Sequence, residues 1–235
     1  MQLDFSYLIK TFWLCVKAIP ITLEITIVSL LLAVIPALLI ALVRIHKIRI
    51  LDVLCRIFVS FIRGTPIVLQ ILIVYSIMPS LLNSLVKSAG WAINVFDINP
   101  VIYAFVVFGI NSSAILSEVF RSAISSVDRG QLEAALSIGE TRFQAFRRVV
   151  FPQALVSALP NLCSTTVILI KNTSLAFIMT VREITGVAKI EAAYGYNYVE
   201  SYIDIFVIYI FVCLAVELVF RKIERRVVFA GVRRA

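Results

Sequence analysis

Lys171 interrupts a long apolar segment and is followed at once by Asn172, Thr173 and Ser174. A charged side chain at the centre of a bilayer costs about 2.5–3.5 kcal/mol, so such residues usually face the interior of a helical bundle. An ammonium group with amide and hydroxyl groups beside it can bind the carboxylate or the amino group of a small solute. The run therefore predicts either part of a solute pathway or a lysine held by a structural partner.

Helix geometry divides these four residues between two faces. Successive residues of a helix are turned by about 100°, so Lys171 and Ser174 share one face while Asn172 and Thr173 point away from it. We expect the first face to line a cavity and the second to bond to a neighbouring helix.

Three more polar side chains stand within apolar segments, namely Gln70, Asn111 and Ser112. They are further candidates for lining a solute pathway. Side chains of these types also join membrane helices through interhelical hydrogen bonds, so both roles remain open for each of them.

Charged residues lie near the ends of two apolar segments. Glu118 and Arg121 stand three residues apart, which is the spacing of an ion pair along a helix and favours a structural role. Arg63 directly precedes Gly64, Thr65 and Pro66. It either holds an inner gate closed or extends to lipid phosphates.

Composition and motif content exclude several classes of protein. The chain has 235 residues, 61% of them hydrophobic, and a mean hydropathy of +1.00. The sequence has no Gly-rich nucleotide-binding loop, no catalytic triad and no Cys or His cluster with metal spacing, since its four cysteines are scattered and His46 is its one histidine. It therefore predicts a membrane protein that is not an enzyme, binds no metal and takes its energy from another chain.

Five segments reach the roughly 20 mostly apolar residues that a membrane-spanning helix needs. They are residues 20–43, 53–79, 100–121, 157–180 and 202–222. We therefore predict an all-α membrane protein with one domain, residues 1–235. We expect the second span to kink or break at Gly64 and Pro66, and an interfacial helix with Phe12 and Trp13 to precede the first.

The basic residues predict the orientation of these spans. With the N-terminus outside, sixteen of the 22 Lys and Arg residues lie around the inner loops and the C-terminal tail, Arg233 and Arg234 included. This asymmetry predicts an outer N-terminus and a cytoplasmic C-terminus. Membrane topology then explains the net charge of +8, and no nucleic-acid partner is indicated.

A polar run at residues 128–152 separates the third and fourth predicted spans. Asp128 precedes Gln131 by three residues, and Thr141 precedes Gln144 by the same interval. Each pair has the spacing of a capping box, in which the first side chain caps a helix and the second bonds back to it. The run is therefore expected to be ordered.

These caps predict two short helices, at residues 129–138 and 142–150. Gly139 and Glu140 form the hinge between them, and Pro152 stops the second. Apolar residues supply one side of each helix: Leu132, Ala135, Leu136, Ile138, Phe143, Phe146 and Val150. An ordered loop of this kind in a membrane protein predicts a docking surface.

Residues 133–152, EAALSIGETRFQAFRRVVFP, resemble the EAA loop of bacterial ABC importer permeases. The spacing of that motif is intact, with Val149 and Phe151 in place of its usual Ile and Leu. Further stretches resemble the polar amino-acid uptake subgroup, of the histidine, glutamine, arginine and cystine type: FIRGTPIVLQ at 61–70, SEVFRSAISSVDRGQ at 117–131 and LIKNTSLAF at 169–177. Ile115 and Asn172 depart from the Tyr and the acidic residue that are common there.

The resemblance implies a type I ABC importer-like permease fold with a cytoplasmic coupling helix, in a bacterial cytoplasmic membrane. It assigns ATPase coupling to Glu133, Ala134, Ala135, Gly139 and Arg142. The implied partners are a dimer of ATPase subunits, which holds ATP and Mg, and an extracytoplasmic amino-acid-binding protein, while this chain itself binds no cofactor. A single five-helix unit cannot enclose a two-sided pathway, so we expect a second permease copy, in a homodimer.

Within the subgroup, the sequence looks most like permeases for cystine and other sulfur-containing amino acids. The alternative is a permease for glutamine, arginine or histidine in a heterodimeric importer. An ATP-independent secondary transporter would need an internal repeat and ion-binding carboxylates near the membrane midplane, and the sequence shows neither.

Overall fold

The structure is a computed structural model that describes residues 3–232, with side chains through residue 227. Arg233 and Arg234, which contribute to the predicted inner charge, lie outside the described residues. The α-helices of the described part are α1 (Phe5–Lys17), α2 (Ile19–Ile45), α3 (Arg49–Gly64), α4 (Ile67–Ser88), α5 (Pro100–Ser125), α6 (Arg129–Ser137), α7 (Arg142–Ala145), α8 (Phe151–Asn172), α9 (Ile184–Gly195) and α10 (Tyr198–Val232). Two 3-10 helices, Val95–Asp97 and Thr173–Met179, and one π-helical turn, Phe146–Val150, complete them.

Five helical stretches among the described residues are long and apolar enough to cross a membrane. They are Phe5–Ile45, Ile67–Ser88, Pro100–Ser125, Arg142–Met179 and Tyr198–Val227. The described part contains no β-strand. The prediction of an all-α fold with five membrane helices is therefore confirmed, although several bounds differ.

Helix α5 is the most buried of these helices and packs along α2. Ile25 and Phe108 share one buried cluster, and Ala37 and Leu116 share another farther along both helices. The two helices therefore run in the same direction. Their C-terminal ends lie at the same end of the bundle, where α6 and α7 follow.

The predicted N-terminal helix is present as α1, and only Ala18 separates it from α2. Pro20 does not interrupt α2 because it lies in the first turn, where a backbone N–H has no partner within the helix. α1 packs against α9 and α10, and the Tyr7 hydroxyl lies 2.8 Å from the Ser201 Oγ. The candidate span thus begins well before the predicted bounds, 20–43.

The predicted break in the second span is confirmed at Thr65 and Pro66, between α3 and α4. Thr65 is extended, with φ −110° and ψ 140°, as the residue before a proline prefers. The predicted bounds 53–79 are wrong, because only α4 of the two helices is long and apolar enough to span. α3 has 16 residues, four of which are charged: Arg49, Asp52, Arg56 and Arg63.

Candidate functional site

Residues 128–152, which we call the coupling segment, begin with α6. The Asp128 carboxylate caps this helix by accepting the Gly130 N–H at 2.6 Å, as predicted for that side chain. Gln131 approaches Asp128 only through its backbone N–H, 3.2 Å from the Asp128 carbonyl oxygen. The predicted return bond from the Gln131 side chain is therefore wrong.

The second predicted capping box is confirmed at the start of α7. The Thr141 hydroxyl accepts the Gln144 N–H at 3.3 Å, and Gln144 Oε1 accepts the Thr141 N–H at 2.9 Å. Between α6 and α7, Gly139 has φ +90°, a left-handed conformation that favours glycine. An Arg148 to Glu140 ion pair at 3.0 Å closes the loop.

The prediction that Pro152 stops the second short helix is wrong. α7 continues through the π-helical turn Phe146–Val150 into α8, and the Phe151 N–H bonds to the Phe146 carbonyl oxygen, five residues back. Pro152 follows in the first turn of α8. A proline normally breaks a helix because it has no N–H to donate to the carbonyl four residues back. The π-helical turn shifts the bonding pattern, so no N–H is needed at position 152.

The coupling segment exposes large apolar side chains. Ile138 is 82% exposed and Phe143 is 73% exposed, so neither packs within the chain. Charged and small residues are exposed in the same segment, while Ala135 is buried. We call the exposed set the coupling surface: Glu133, Ala134, Ile138, Arg142 and Phe143. Exposed apolar residues rimmed by polar ones are typical of a protein-docking site.

The polar run at the end of α8 divides as helix geometry predicts. Lys171 and Ser174 line one cavity of about 540 Å³ against α10. Thr173 is fully buried; its hydroxyl donates to the Ile170 carbonyl oxygen at 2.6 Å and lies 3.5 Å from the Tyr209 hydroxyl. This run therefore has one cavity face and one packed face.

Lys171 also lines a second cavity, of about 470 Å³, that extends along α10. Glu217 lines the same cavity. Among the described residues, no carboxylate oxygen lies within 4.0 Å of the Lys171 ammonium, so the ion pair considered for it is absent there. We call the two adjoining cavities the α8–α10 groove. It carries positive and negative side chains, while Asn172 lines neither cavity.

Gln70 and Asn111 come together away from this groove. The Asn111 amide donates to Gln70 Oε1 at 3.1 Å. Gln70 Nε2 donates to the Ile62 carbonyl oxygen at 2.9 Å and to the Thr65 hydroxyl at 2.8 Å. These bonds join α5 to the break between α3 and α4, which is the interhelical role considered for them. Ser112 is buried in α5.

The predicted pair along α5 is confirmed. Glu118 Oε2 accepts from Arg121 Nε at 3.0 Å and from Arg121 Nη2 at 2.8 Å. Its other oxygen pairs with Arg44 at the end of α2, so Glu118 joins two helices. Arg63 borders a cavity with Arg44 and Glu118.

The sequence prediction missed Glu183, a fully buried carboxylate before α9. Its oxygens accept the Thr185 N–H at 2.9 Å, the Gly186 N–H at 2.7 Å and the Tyr209 hydroxyl at 2.9 Å. A Cβ at Gly186 would clash with the Val181 carbonyl oxygen, so only glycine fits this tight start. Burial raises the pKa of the Glu183 carboxyl from 4.5 to about 7.

The sequence signal for this N-cap is weak, since Glu183 stands two residues before Thr185 and the side chains that N-caps prefer are those of Ser, Thr, Asp and Asn. Tyr209 contributes to two environments: its ring lines the α8–α10 groove and its hydroxyl binds Glu183. The groove is thus connected to α9 by one side chain.

Comparison with known proteins agrees with this architecture. Residues 29–229 match the family model described as "Binding-protein-dependent transport system inner membrane component". The probable amino-acid permease protein YxeN of Bacillus subtilis (strain 168) is 35% identical, over 88% of this chain and 88% of its own length. The L-cystine transport system permease protein TcyL of the same organism is 36% identical, over 89% of this chain and 85% of its own length.

A solved structure has the same fold. It is described as the crystal structure of an amino acid ABC transporter with histidines; one of its chains matches with a TM-score of 0.79 and 30% identity, covering 96% of this chain and all of that one. The resemblance to ABC permeases and the type I importer-like fold are therefore confirmed. The chain belongs to the family of inner membrane components of binding-protein-dependent transport systems, the permease subunits of ABC importers.

Proposed function

We propose that this chain is the permease subunit of an ABC importer for a polar amino acid and that it forms a homodimer around the solute pathway. One observation carries the proposal: the helical stretch Arg142–Met179 bears Arg142 and Phe143 of the coupling surface at one end and Lys171 of the α8–α10 groove near the other. A single continuous element thus connects the site of energy input to a charged cavity.

The coupling surface binds an ATPase subunit. Burying Ile138 and Phe143 against that partner removes apolar area from water, and Glu133 and Arg142 add charged contacts at its rim. ATP and Mg belong to the ATPase dimer, and this chain holds no cofactor. An extracytoplasmic amino-acid-binding protein delivers the solute at the opposite end.

Two substitutions test the coupling role in the purified complex. Glu133→Lys reverses the charge of the coupling surface, and Gly139→Val forces a branched side chain into a left-handed conformation. Each is expected to release the ATPase or to uncouple ATP hydrolysis from uptake. Asp97→Lys, in the loop between α4 and α5, is the control and should leave both unchanged. Normal complex recovery and uptake in both test variants would contradict the role.

The α8–α10 groove binds the solute in our proposal. Lys171 offers a cation to the solute carboxylate, and Glu217 offers an anion to its ammonium group, so the groove matches a zwitterionic amino acid. Three further pathway candidates are Gln70, Asn111 and Ser112. They reach the solute only when the break between α3 and α4 moves, because Gln70 and Asn111 bond to each other in this structure.

Lys171→Met tests this assignment. It is expected to reduce uptake at saturating binding protein and to change solute stimulation of the ATPase, while Lys171→Arg restores part of both. Lys87→Met, at the end of α4, is a matched control. If Lys171→Met instead lowers yield or thermal stability and surviving complexes transport normally, Lys171 is structural and the assignment is wrong.

Cystine is the solute that we propose first, supported by the sequence resemblance and by the similarity to the L-cystine transport system permease protein TcyL. The test measures uptake of labelled cystine in the presence of unlabelled glutamine, arginine or histidine. Strong inhibition by one of these amino acids would make it the proposed solute instead. The mass of the purified complex tests the homodimer. A second, different permease subunit in that complex would replace it with a heterodimer.

We also propose a bacterial cytoplasmic membrane, with the N-terminus outside and the C-terminus in the cytoplasm, because most basic residues then lie inside. Single cysteines introduced at positions 90 and 130, in a variant without other cysteines, test this orientation. A reagent that cannot cross the membrane should label position 90 and spare position 130 in intact cells. The reverse pattern would overturn it.

A further inference from the structure

The ends of α2 and α5 and the polar side of α3 border a second charged cavity, which is open to the surface and distinct from the α8–α10 groove. Its volume is about 500 Å³, and three guanidinium groups and one carboxylate line it: Arg44, Arg56, Arg63 and Glu118. α2 and α5 end together on the side of the bundle from which the coupling segment projects. The cavity therefore lies toward that end.

The cavity carries an excess of positive charge. Glu118 is shared between Arg44 and Arg121, so this carboxylate neutralises only one of two guanidinium groups. Arg56 pairs with Asp52 at 3.0 Å. Among the described residues, Arg63 has no carboxylate oxygen within 4.0 Å. Guanidinium groups gathered around one open cavity are a good match for a phosphate group.

An apolar cavity adjoins the charged one along the same helix. Its volume is about 590 Å³, and it shares Arg56, Ser60 and Gly64 with its neighbour. Ile57 and Phe61 form its apolar wall and are 61% and 63% exposed. The space above Gly64 is open, since no atom lies within 4 Å of a Cβ built there. A basic cavity beside an apolar one matches a molecule with an anionic head and a hydrocarbon chain.

We propose that these two cavities form a binding site for one anionic phospholipid. The phosphate binds Arg56 and Arg63 in the charged cavity, and an acyl chain lies against Ile57 and Phe61. A free phosphate ion satisfies only the first half of this arrangement and leaves the apolar wall uncovered. A phospholipid satisfies both halves, because its phosphate and its acyl chain are joined in one molecule.

The experiment titrates the detergent-purified complex with phosphatidylglycerol, phosphatidylcholine or inorganic phosphate and counts bound molecules by native mass spectrometry. We expect one tightly held phosphatidylglycerol per permease copy and weaker binding of phosphatidylcholine. Arg63→Gln should weaken phosphatidylglycerol binding about fivefold, the effect of one basic residue near an anionic lipid. Arg49→Gln, on the same helix and outside both cavities, should leave binding unchanged.

A second substitution separates the lipid from free phosphate. Phe61→Ala retains every guanidinium group, so it should weaken phosphatidylglycerol binding and leave phosphate binding as it is. The proposal is overturned if Arg63→Gln and Arg49→Gln bind phosphatidylglycerol alike, or if inorganic phosphate displaces the lipid and Phe61→Ala has no effect. Because Arg63 and Phe61 are exposed, thermal unfolding of each variant should match the wild type, and a variant that fails this check is replaced by Arg63→Lys or Phe61→Leu.

Discussion

The coupling segment and the start of α9 are both short helical insertions next to membrane helices, and different interactions hold them in place. In the coupling segment, every ordering bond described above connects residues at most eight apart, such as Glu140 to Arg148. At the start of α9, Glu183 is completely buried and reaches Tyr209, 26 residues away. The coupling segment turns its apolar residues outward, whereas α9 buries a charge inward.

This difference separates two kinds of stability. A segment held by local caps can keep its shape while its outer surface binds and releases a partner. A junction held by a buried carboxylate depends on packing between helices, because one of its three donors, the Tyr209 hydroxyl, comes from α10. We therefore expect substitutions at the first region to affect assembly and substitutions at the second to affect folding.

The largest expected effect is that of Glu183→Ala. It leaves two backbone N–H groups and one hydroxyl buried without their acceptor, which costs on the order of 3 kcal/mol. Thermal unfolding of the purified complex measures the loss. Glu191→Ala on the same helix is the control, because Glu191 has only a 3.9 Å contact with the exposed Lys10 and exposed pairs contribute little. Equal loss in both variants would remove the distinction between the two regions.

The next effect is expected at the coupling surface. Phe143→Ala removes an exposed aromatic ring that we place against the ATPase, so it should weaken ATPase binding by about tenfold or more. The thermal stability of the permease itself should not change. Phe96→Ala is a matched control, since Phe96 is 64% exposed near the start of α5, at the other end of the bundle. A stability loss in Phe143→Ala without an assembly defect would contradict the comparison.

A smaller effect is expected from pH. The pKa of the Glu183 carboxyl is about 7 in the folded protein, against an ordinary value of 4.5 for an exposed carboxyl. Between these two pH values the folded protein therefore holds a proton that the unfolded chain has lost. Its stability contribution is complete below about pH 4.5 and is lost as pH rises through 7, with a slope of at most about 1.4 kcal/mol per pH unit. Thermal midpoints measured from pH 5 to pH 8 should therefore fall more in the wild type than in Glu183→Gln. Parallel curves would show that Glu183 does not titrate here.

The smallest expected effect is that of Tyr209→Phe. The change removes one of three donors to Glu183 and preserves the ring that lines the α8–α10 groove, so it should cost about 1 kcal/mol. Tyr202→Phe, a neighbour in the same groove, should cost less, because no hydrogen bond of its hydroxyl is among those described. Identical thermal midpoints for the two variants would show that the Tyr209 bond adds no stability.

Sequence patterns were sufficient for several features whose controlling interaction is local. The capping box at Thr141, the ion pair of Glu118 with Arg121 and the break before Pro66 each depend on residues only a few positions apart. The EAA spacing similarly located the coupling segment. The five membrane helices followed from apolar length, which is a property of each segment alone.

Other features were not evident from residue spacing alone. Glu183 was missed because its partner Tyr209 belongs to another helix, and the continuation of α7 into α8 was missed because a π-helical turn accommodates Pro152. The bounds of the second span were wrong because apolar counting does not register the charged stripe of α3. The same limit applies to Gln70, whose partners lie on both sides of a helix break.

The unbroken helical path from the coupling segment to Lys171 has a mechanical consequence. Twenty residues separate Phe151 from Lys171, which corresponds to an arm about 30 Å long. Pro160 lies inside this arm and is the point at which it can bend. The helix continues on both sides of Pro160, so a rotation at the base is passed on and enlarged with distance. A tilt of about 10° at the π-helical turn would move the far end by about 5 Å, on the scale of one helical turn. The turn that lets Pro152 remain within the helix thereby preserves the leverage of α8.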